Sequence, residues 1–485
     1  MQPTPMNRMS TLDAEFYFAE HGDAPLHMGS VAVFDGPAPE YRDITRLFAA
    51  KLPRVPRYRQ VVSTVPGQLL RPVWADDEHF QIRHHVRHVK VPAPGGDEQL
   101  RAVAAKLFAR RLDLSRPLWE EWLLTGLADG RWAILSKVHH CMADGIGGND
   151  LMTLVFDTDP DAAPPEPVSW VPAPGPSLAD RAADQVRDAV TWPLRQLAAV
   201  PKTSARLRRL ARPEDLLEYS RGLSESTRRL AEPSASFLNG PIGPKRRWAW
   251  TTTSLTELKQ IRRAHGGTIN DVVLAVITGA FRDLLAARGK LTEGLVVRSL
   301  VPVSTRGPDE AGVIANRVSA VLANLPVGEP DPLRRLTLIR QQMDSLKHRH
   351  QAVSAEILTA MLGVSAPMWL ALGTQAAFRF PQPLVQTVTT NVPGPRLPLY
   401  VLGRRMTVLY PFVPIGNSIR ISIAILSYLD TVTFGITADY DAVPDVDVVV
   451  QGIRRGLAEL AAQPEAGAQP EAEASPEVQP QPAGT

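Results

Sequence analysis

Residues 133–148 read AILSKVHHCMADGIGG. A strand-like run, Ala133 to Val138, ends on two adjacent histidines, and Asp144 then precedes glycines at 145, 147 and 148. Successive strand residues point to opposite faces, so a His140 that projects from a strand end into a cleft leaves His139 pointing the other way. A neutral imidazole, with an unperturbed pKa of about 6.5, can take a proton from an alcohol at neutral pH. His140 is therefore the candidate general base, and His139 a supporting residue that packs. Asp144 has two duties open to it: orienting the imidazole, or holding the turn by pairing with an arginine elsewhere. Gly145, Gly147 and Gly148 favour the turn, because glycine lets a loop bend sharply beside a substrate.

Two other readings compete. A metal site would use His140 and Asp144 as ligands four apart on a helix, but the glycines oppose a helix and the single cysteine cannot complete a thiolate cluster, so no metal is expected. A merely structural pair is the other; His84–His85, inside the alternating run FQIRHHVRHV with no Asp or Gly behind it, is expected to be such a pair of strand residues.

Outward from this stretch, HMGSVAVFDG and FQIRHHVRHVKV alternate like strands, EQLRAVAAKLFARRLDLS has helical spacing, and WAILSKV leads into the histidines. The second half repeats the mixture: a helix in TINDVVLAVITGAFRDLLAARG, a strand in VVRSLVPVS, and a hairpin in IRISIAILSYLDTVTFGITADY turning near Leu429-Asp430. The expected fold class is α/β, of the α+β type, in two domains. DTDPDAAPPEPVSWVPAPGP, residues 157–176, is too proline-rich for a helix or central strand and reads as an exposed linker. The expected division is 1–156 for the first domain, 157–235 for linker and crossover helices, 236–463 for the second domain and 464–485 for a disordered tail.

The chain has 485 residues, long for one hydrophobic core, and its 44% hydrophobic and 21% charged residues are ordinary globular composition. With Cys141 alone no internal disulfide can form, so a reducing cytoplasm is expected. The start lacks a secretory pattern and no stretch has the ~18 consecutive apolar residues of a membrane span. Net charge is +3, and the tail carries glutamates 465, 471, 473 and 477 without Lys or Arg, so the positive excess lies in the rest. It is too diffuse for nucleic acid. Attraction to an anionic lipid surface stays open, as does a solvated helix face, for residues 195–229 with nine Lys or Arg and four Asp or Glu.

His139-His140-x-x-x-Asp144-Gly145 resembles the signature of the CoA-dependent acyltransferase superfamily, which includes condensation domains of peptide synthetases. Further stretches are similar to the bacterial wax ester synthase/diacylglycerol acyltransferase family: Pro117-Leu118-Trp119, Asn270-Asp271 in TINDVVLA, MSTLDAEFYFAE with PLHMG, SFLNGPIGPKRRWA, VPVSTR, NRVSAVLANLPVGEPDP and TNVPGP. The resemblance runs in order from Met9 to about Leu460 and is weak through the linker. It implies two chloramphenicol-acetyltransferase-like domains with the double-histidine loop at their interface. It also implies an O-acyltransferase whose donor is long-chain acyl-CoA, a substrate with no cofactor beside it, and whose acceptor is diacylglycerol or a fatty alcohol.

Under that resemblance, His140 deprotonates the acceptor hydroxyl as it attacks the thioester, and no acyl-enzyme is needed. No Gly-x-Ser-x-Gly elbow is present, and Cys141, adjacent to His140, is expected to point away from it. Asn270 is the candidate donor to the oxyanion, with capping of its own helix as the equal alternative. Asp271 is then a first-turn carboxylate or structural partner. Trp119 is read as packing beside the loop rather than lining a tunnel, and TNVPGP as a rigid interdomain loop without chemical groups. Lipid acceptors require a membrane or droplet, so the expected location is cytoplasmic and peripheral to the inner membrane or lipid droplets. The rivals are a related acyltransferase with another alcohol or amine acceptor, and a non-catalytic lipid-droplet-binding protein.

Overall fold

The structure is a computed structural model describing residues 7–20, 22–64, 72–142, 156–163, 166, 169–177, 179–181, 183, 186–187, 232–304, 318–350, 384–416 and 418–463; for 11–12, 303–304, 318–320 and 347–350 only the backbone is described. Asp144 with its following glycines, the arginine-rich stretch 195–229 and the tail from 464 lie outside the described residues.

The first half carries β1 (His27–Phe34), β2 (Gln60–Ser63), β3 (Val73–Asp76), β4 (Val86–Lys90), β5 (Trp119–Thr125) and β6 (Trp132–His139), with helices α1 (Thr11–Ala19), α2 (Tyr41–Lys51) and α3 (Asp97–Ala109). The second carries β7 (Arg246–Ser254), β8 (Val297–Ser304), β9 (Val318–Leu325), β10 (Thr387–Val392), β11 (Tyr400–Val401), β12 (Arg404–Phe412), β13 (Ile421–Tyr428) and β14 (Thr431–Asp439). Its helices are α4 (Leu255–His265), α5 (Ile269–Ala287), α6 (Pro332–His350) and α7 (Val446–Ala462). The hairpin turns where the sequence suggested, with Leu429 at a φ of 53°.

Twelve of these strands form two six-stranded mixed sheets, ordered β11-β12-β1-β6-β5-β4 and β7-β14-β13-β10-β8-β9, and β2 pairs with β3 in a small sheet of their own. Residues 400–412 follow the second sheet's β10 in sequence yet belong to the first sheet, where β12 lies antiparallel to β1 with Gly29 opposite Phe412. The exchange has a packing cause. It sets Tyr410 and Phe412 beside Trp248 and Trp250 of β7 and Phe108 of α3, in a buried cluster between the two halves. Trp248 Nε1–H donates to the Pro411 carbonyl at 3.1 Å, and a Cβ at Gly435 of β14 would come within 2.1 Å of the same oxygen. Burying rings of this size supplies large apolar area, and glycine allows the strands to approach.

The outer face of each sheet has its own core. α5 is buried along nearly all its turns, from Asp271 to Phe281, because the sheet, α6 and α7 enclose it; a helix so enclosed is apolar on every side. The start of the proline-rich segment is pinned: Asp157 exchanges backbone hydrogen bonds with Tyr400 and its carboxylate meets buried Lys51 at 2.9 Å.

The structure corrects two local readings. His84 closes a short 3₁₀ turn and His85 follows it, so β4 begins only at Val86. His85 is drawn inward: its Nδ1–H donates to the Trp119 carbonyl at 2.9 Å and its ring stacks on Trp119 at 4.6 Å. Burial pushes its pKa down to about 4 against that hydrogen bond, keeping it neutral. Second, Thr390–Val392 of TNVPGP are not loop but the end of β10, held by parallel pairing with β13. A Cβ at Gly394 would lie 1.8 Å from the Ser427 carbonyl, so the chain leaves the sheet in close contact with β13.

Candidate active site

Two carbonyls from distant parts of the chain hold the double histidine by its backbone. The Leu118 carbonyl accepts the N–H of His139 and the Leu26 carbonyl accepts that of His140, both at 2.9 Å. The Pro-Leu-Trp stretch therefore fixes the strand end from one side, and the residue before β1 fixes it from the other. Beyond His139 the chain turns into a 3₁₀ segment, His140–Met142. His140 is half-buried, and its ring stacks on Phe16 of α1 with centroids 3.9 Å apart.

His139 is fully buried and faces His27 across the β1–β6 pair. Its Nδ1 accepts the backbone N–H of Cys141 at 3.2 Å, and its Nε2 lies 3.1 Å from Oε2 of Glu20. A backbone N–H can only donate, so Nδ1 carries no proton and Nε2–H donates to the carboxylate. Glu20 accepts three more hydrogen bonds, from Leu26 N–H at 2.9 Å and from Arg111 Nε and Nη2 at 3.0 and 2.9 Å. Burial pushes the Glu20 carboxyl up, but the His139, Leu26 and Arg111 contacts outweigh it and hold it at about 2. It is ionised at neutral pH.

The Cys141 thiol is buried, and burial, with Asp13 and Glu20 nearby, pushes its pKa well above the ordinary thiol range. A thiol kept protonated is a poor nucleophile. Trp119 is fully buried, its Nε1–H donating to the Tyr58 carbonyl at 2.8 Å and its ring set against Tyr58 and His85.

Asn270 and Asp271 open α5, but the cap is Thr268. Its hydroxyl accepts from Asp271 N–H while Asp271 Oδ2 accepts from the Thr268 N–H at 2.7 Å, a reciprocal capping box. Asp271 is thus a first-turn carboxylate, and Asn270, one position earlier in the helix, leaves its side chain for another partner. Oδ1 of Asn270 accepts from Nδ2 of Asn391 at 3.3 Å. Described contacts place His140 against α1 and Asn270 against β10, on separate elements; Asp144 and Gly145 lie outside the described residues.

The two halves meet beside the histidines. Arg246 of β7 donates to the Asp23 carbonyl, and a Cβ at Gly416 would sit 3.3 Å from Ala24, so the α1–β1 segment that supplies Glu20 and Leu26 lies against the second half. Two residues were not singled out from the sequence. Glu20 is the last residue of MSTLDAEFYFAE, where Asp13 and Glu15 are acids too, and Asn391 lies within TNVPGP; no local signal separated Glu20 from those acids, and for Asn391 the amide among turn-forming residues was the available signal.

Two sheets thus share a crossed-over strand, and a double histidine ends a strand of the first sheet. The chain belongs to the wax ester synthase/diacylglycerol acyltransferase family: the catalytic domain of that family matches residues 9–273 and its C-terminal domain residues 314–461. A Mycobacterium tuberculosis protein described as a "probable diacyglycerol O-acyltransferase tgs1" is 38% identical over 466 residues, covering 94% of this chain and 96% of that one. The solved structure of a wax ester synthase/diacylglycerol acyltransferase from Marinobacter aquaeolei VT8 superposes with a TM-score of 0.67 at 25% identity, covering 94% and 98%. TRI3 trichothecene 15-O-acetyltransferase from Fusarium sporotrichioides, at 15% identity with a TM-score of 0.59 and coverage of 93% and 94%, shares the fold.

Proposed function

We propose that the chain transfers a long-chain acyl group from acyl-CoA to the free hydroxyl of diacylglycerol, and secondarily to long-chain alcohols, with His140 as general base. The observation that carries the reading is the rigid mounting of His140: its backbone fixed by Leu26, its ring stacked on Phe16, and the peptide after it tied to His139. A base held in one geometry removes orientational cost from the reaction.

In the proposed reaction the imidazole takes the hydroxyl proton as the acceptor oxygen bonds to the thioester carbonyl carbon. The tetrahedral intermediate then expels the CoA sulfur, which receives that proton from the imidazolium. Asn270 donates from its amide to the oxyanion, and Asp144 holds or orients the loop. The high pKa of Cys141 supports direct transfer over a thioester on the enzyme. Acyl-CoA enters as substrate, and no cofactor or metal has a role in this scheme. Among the described residues no helix is long and apolar enough to cross a membrane. We place the protein in the cytoplasm, peripheral to the inner membrane or to droplets, where its acceptors reside.

The test supplies purified protein with palmitoyl-CoA and either a diacylglycerol or hexadecanol, and separates the esters formed. Triacylglycerol in excess of wax ester is expected. Wax ester alone would reverse the acceptor order, and ester from neither would point to another acceptor or a binding role.

A further inference from the structure

Beyond the histidines themselves, one carboxylate stands where it can govern their geometry. The Glu20 side chain is wholly buried, and its Oε2 accepts from both His139 Nε2–H and Leu26 N–H. Leu26 is the residue whose carbonyl holds the His140 N–H, so Glu20 grips both supports of His140: the backbone of Leu26 on one side and the ring of His139 on the other. His139 in turn accepts the Cys141 N–H, the first amide past His140. Oε1 is clamped by Arg111, just beyond the end of α3. The α3 end is itself fixed: its carbonyls take hydrogen bonds from buried Lys137, at Leu107 and Arg110, and from buried His27, at Phe108.

We infer that Glu20 is a positioning residue for the acyl transfer: through His139 and Leu26 it sets where the His140 ring stands, without touching substrate. The inference rests on the reading of His140 as the base. Only an acceptor without a proton can serve here. A carboxylate oxygen receives two donors at Oε2 and a guanidinium at Oε1, whereas an amide in its place must aim an N–H₂ at one of those donors. His139 is then free to rotate or to take its other tautomer, which would present Nδ1–H to the Cys141 N–H and break that contact.

The decisive variant is Glu20→Gln, compared with Asp157→Asn, which breaks the Lys51–Asp157 pair of the same half away from the histidines. For Glu20→Gln, kcat is expected to fall about 10–100-fold with KM for both substrates within about twofold, the signature of a base displaced by a fraction of an ångström. Asp157→Asn is expected to lower Tm with kcat unchanged. Selective ¹⁵N-histidine spectra supply a second readout: neutral His139 is expected as the Nε2–H tautomer in the native protein. Wild-type kcat in Glu20→Gln overturns the inference, as does equal loss of kcat in both variants, and as does a native His139 that is Nδ1-protonated. If Glu20→Gln does not fold, the native spectrum decides alone. His140→Ala is run in parallel: activity there defeats the base reading, while a dead His140→Ala beside a fully active Glu20→Gln defeats only the positioning role.

Discussion

Asn391 donates from Nδ2 to Oδ1 of Asn270 at 3.3 Å, tying the end of strand β10 to the first turn of helix α5. With its oxygen engaged, the Asn270 amide keeps its own N–H₂ for another acceptor. If that acceptor is the oxyanion, Asn270→Ala should lower kcat by about 10²–10³ with KM little changed. Asn391→Ala, which removes only the orienting contact, should cost less. Thr268→Ala, which breaks the cap, should cost about 1 kcal/mol in unfolding free energy and leave kcat intact. Steady-state kinetics beside denaturant melts check all three; an Asn270→Ala that loses only stability would return Asn270 to a structural role.

Cys141 lies next to His140 yet contributes its backbone, not its thiol, to the site. Cys141→Ala should retain kcat within about threefold, since the N–H to His139 persists and alanine is tolerated at a small buried site. The folded protein should resist iodoacetamide and the unfolded protein should not. Mass spectrometry of the alkylated chain and of single-turnover mixtures reads this directly; an acyl group on Cys141 would contradict direct transfer.

Two buried carboxyls give stability opposite pH dependences. Glu20 stands at about 2 against an ordinary 4.5, so its contribution is complete above about 4.5 and is lost as pH falls toward 2. Glu121 of β5 is pushed by burial up to about 8, partly opposed by the Ser136 hydroxyl, so its contribution is complete below about 4.5 and is lost as pH rises toward 8. Glu121→Gln should therefore flatten the fall in Tm between pH 5 and 8.5, and Glu20→Gln should flatten the fall between pH 4.5 and 3. Calorimetry across pH checks both signs.

Trp119 packs against two rings, Tyr58 and His85, beneath the strand end. Trp119→Ala should destabilise the fold by about 3–5 kcal/mol through the cavity it leaves. Trp119→Phe should cost less, losing the hydrogen bond to the Tyr58 carbonyl while keeping most of the packing. Because Leu118, the preceding residue, holds the His139 N–H, the alanine variant should also lower kcat. Unchanged kcat in a stable Trp119→Ala protein would separate the core from the loop.

Local pattern made much of this fold legible. Period-two alternation marked β1, the apolar run WAILSKV marked β6, and helical spacing marked α5 to within two residues at each end, while the stretch read as α3 ran on to Ser115, past its end at Ala109. The reciprocal cap of α5 was also present in the order Thr268-Ile-Asn-Asp271, a spacing that identifies Thr268 rather than Asn270 as the cap. What local pattern could not carry were pairings between distant segments. β12 joins β1 across more than 370 residues because aromatic burial between the halves favours it, and no periodicity encodes that partner. His85 leaves its alternating run for the Trp119 carbonyl, 34 residues on, and Glu20 meets His139 across 119. His140 could be singled out because its chemistry, its spacing to Asp144 and the glycines that follow coincide in the sequence; Glu20 could not, because its hydrogen bond to His139 joins distant parts of the chain.

The measurement that decides most is CoA-thiol release from palmitoyl-CoA by native protein and His140→Ala, with and without diacylglycerol. A general base at His140 requires acceptor-dependent release in the native protein and its loss by about 10²–10⁴-fold in the variant, with palmitoyl-CoA still bound. Release by His140→Ala at the native rate would contradict it.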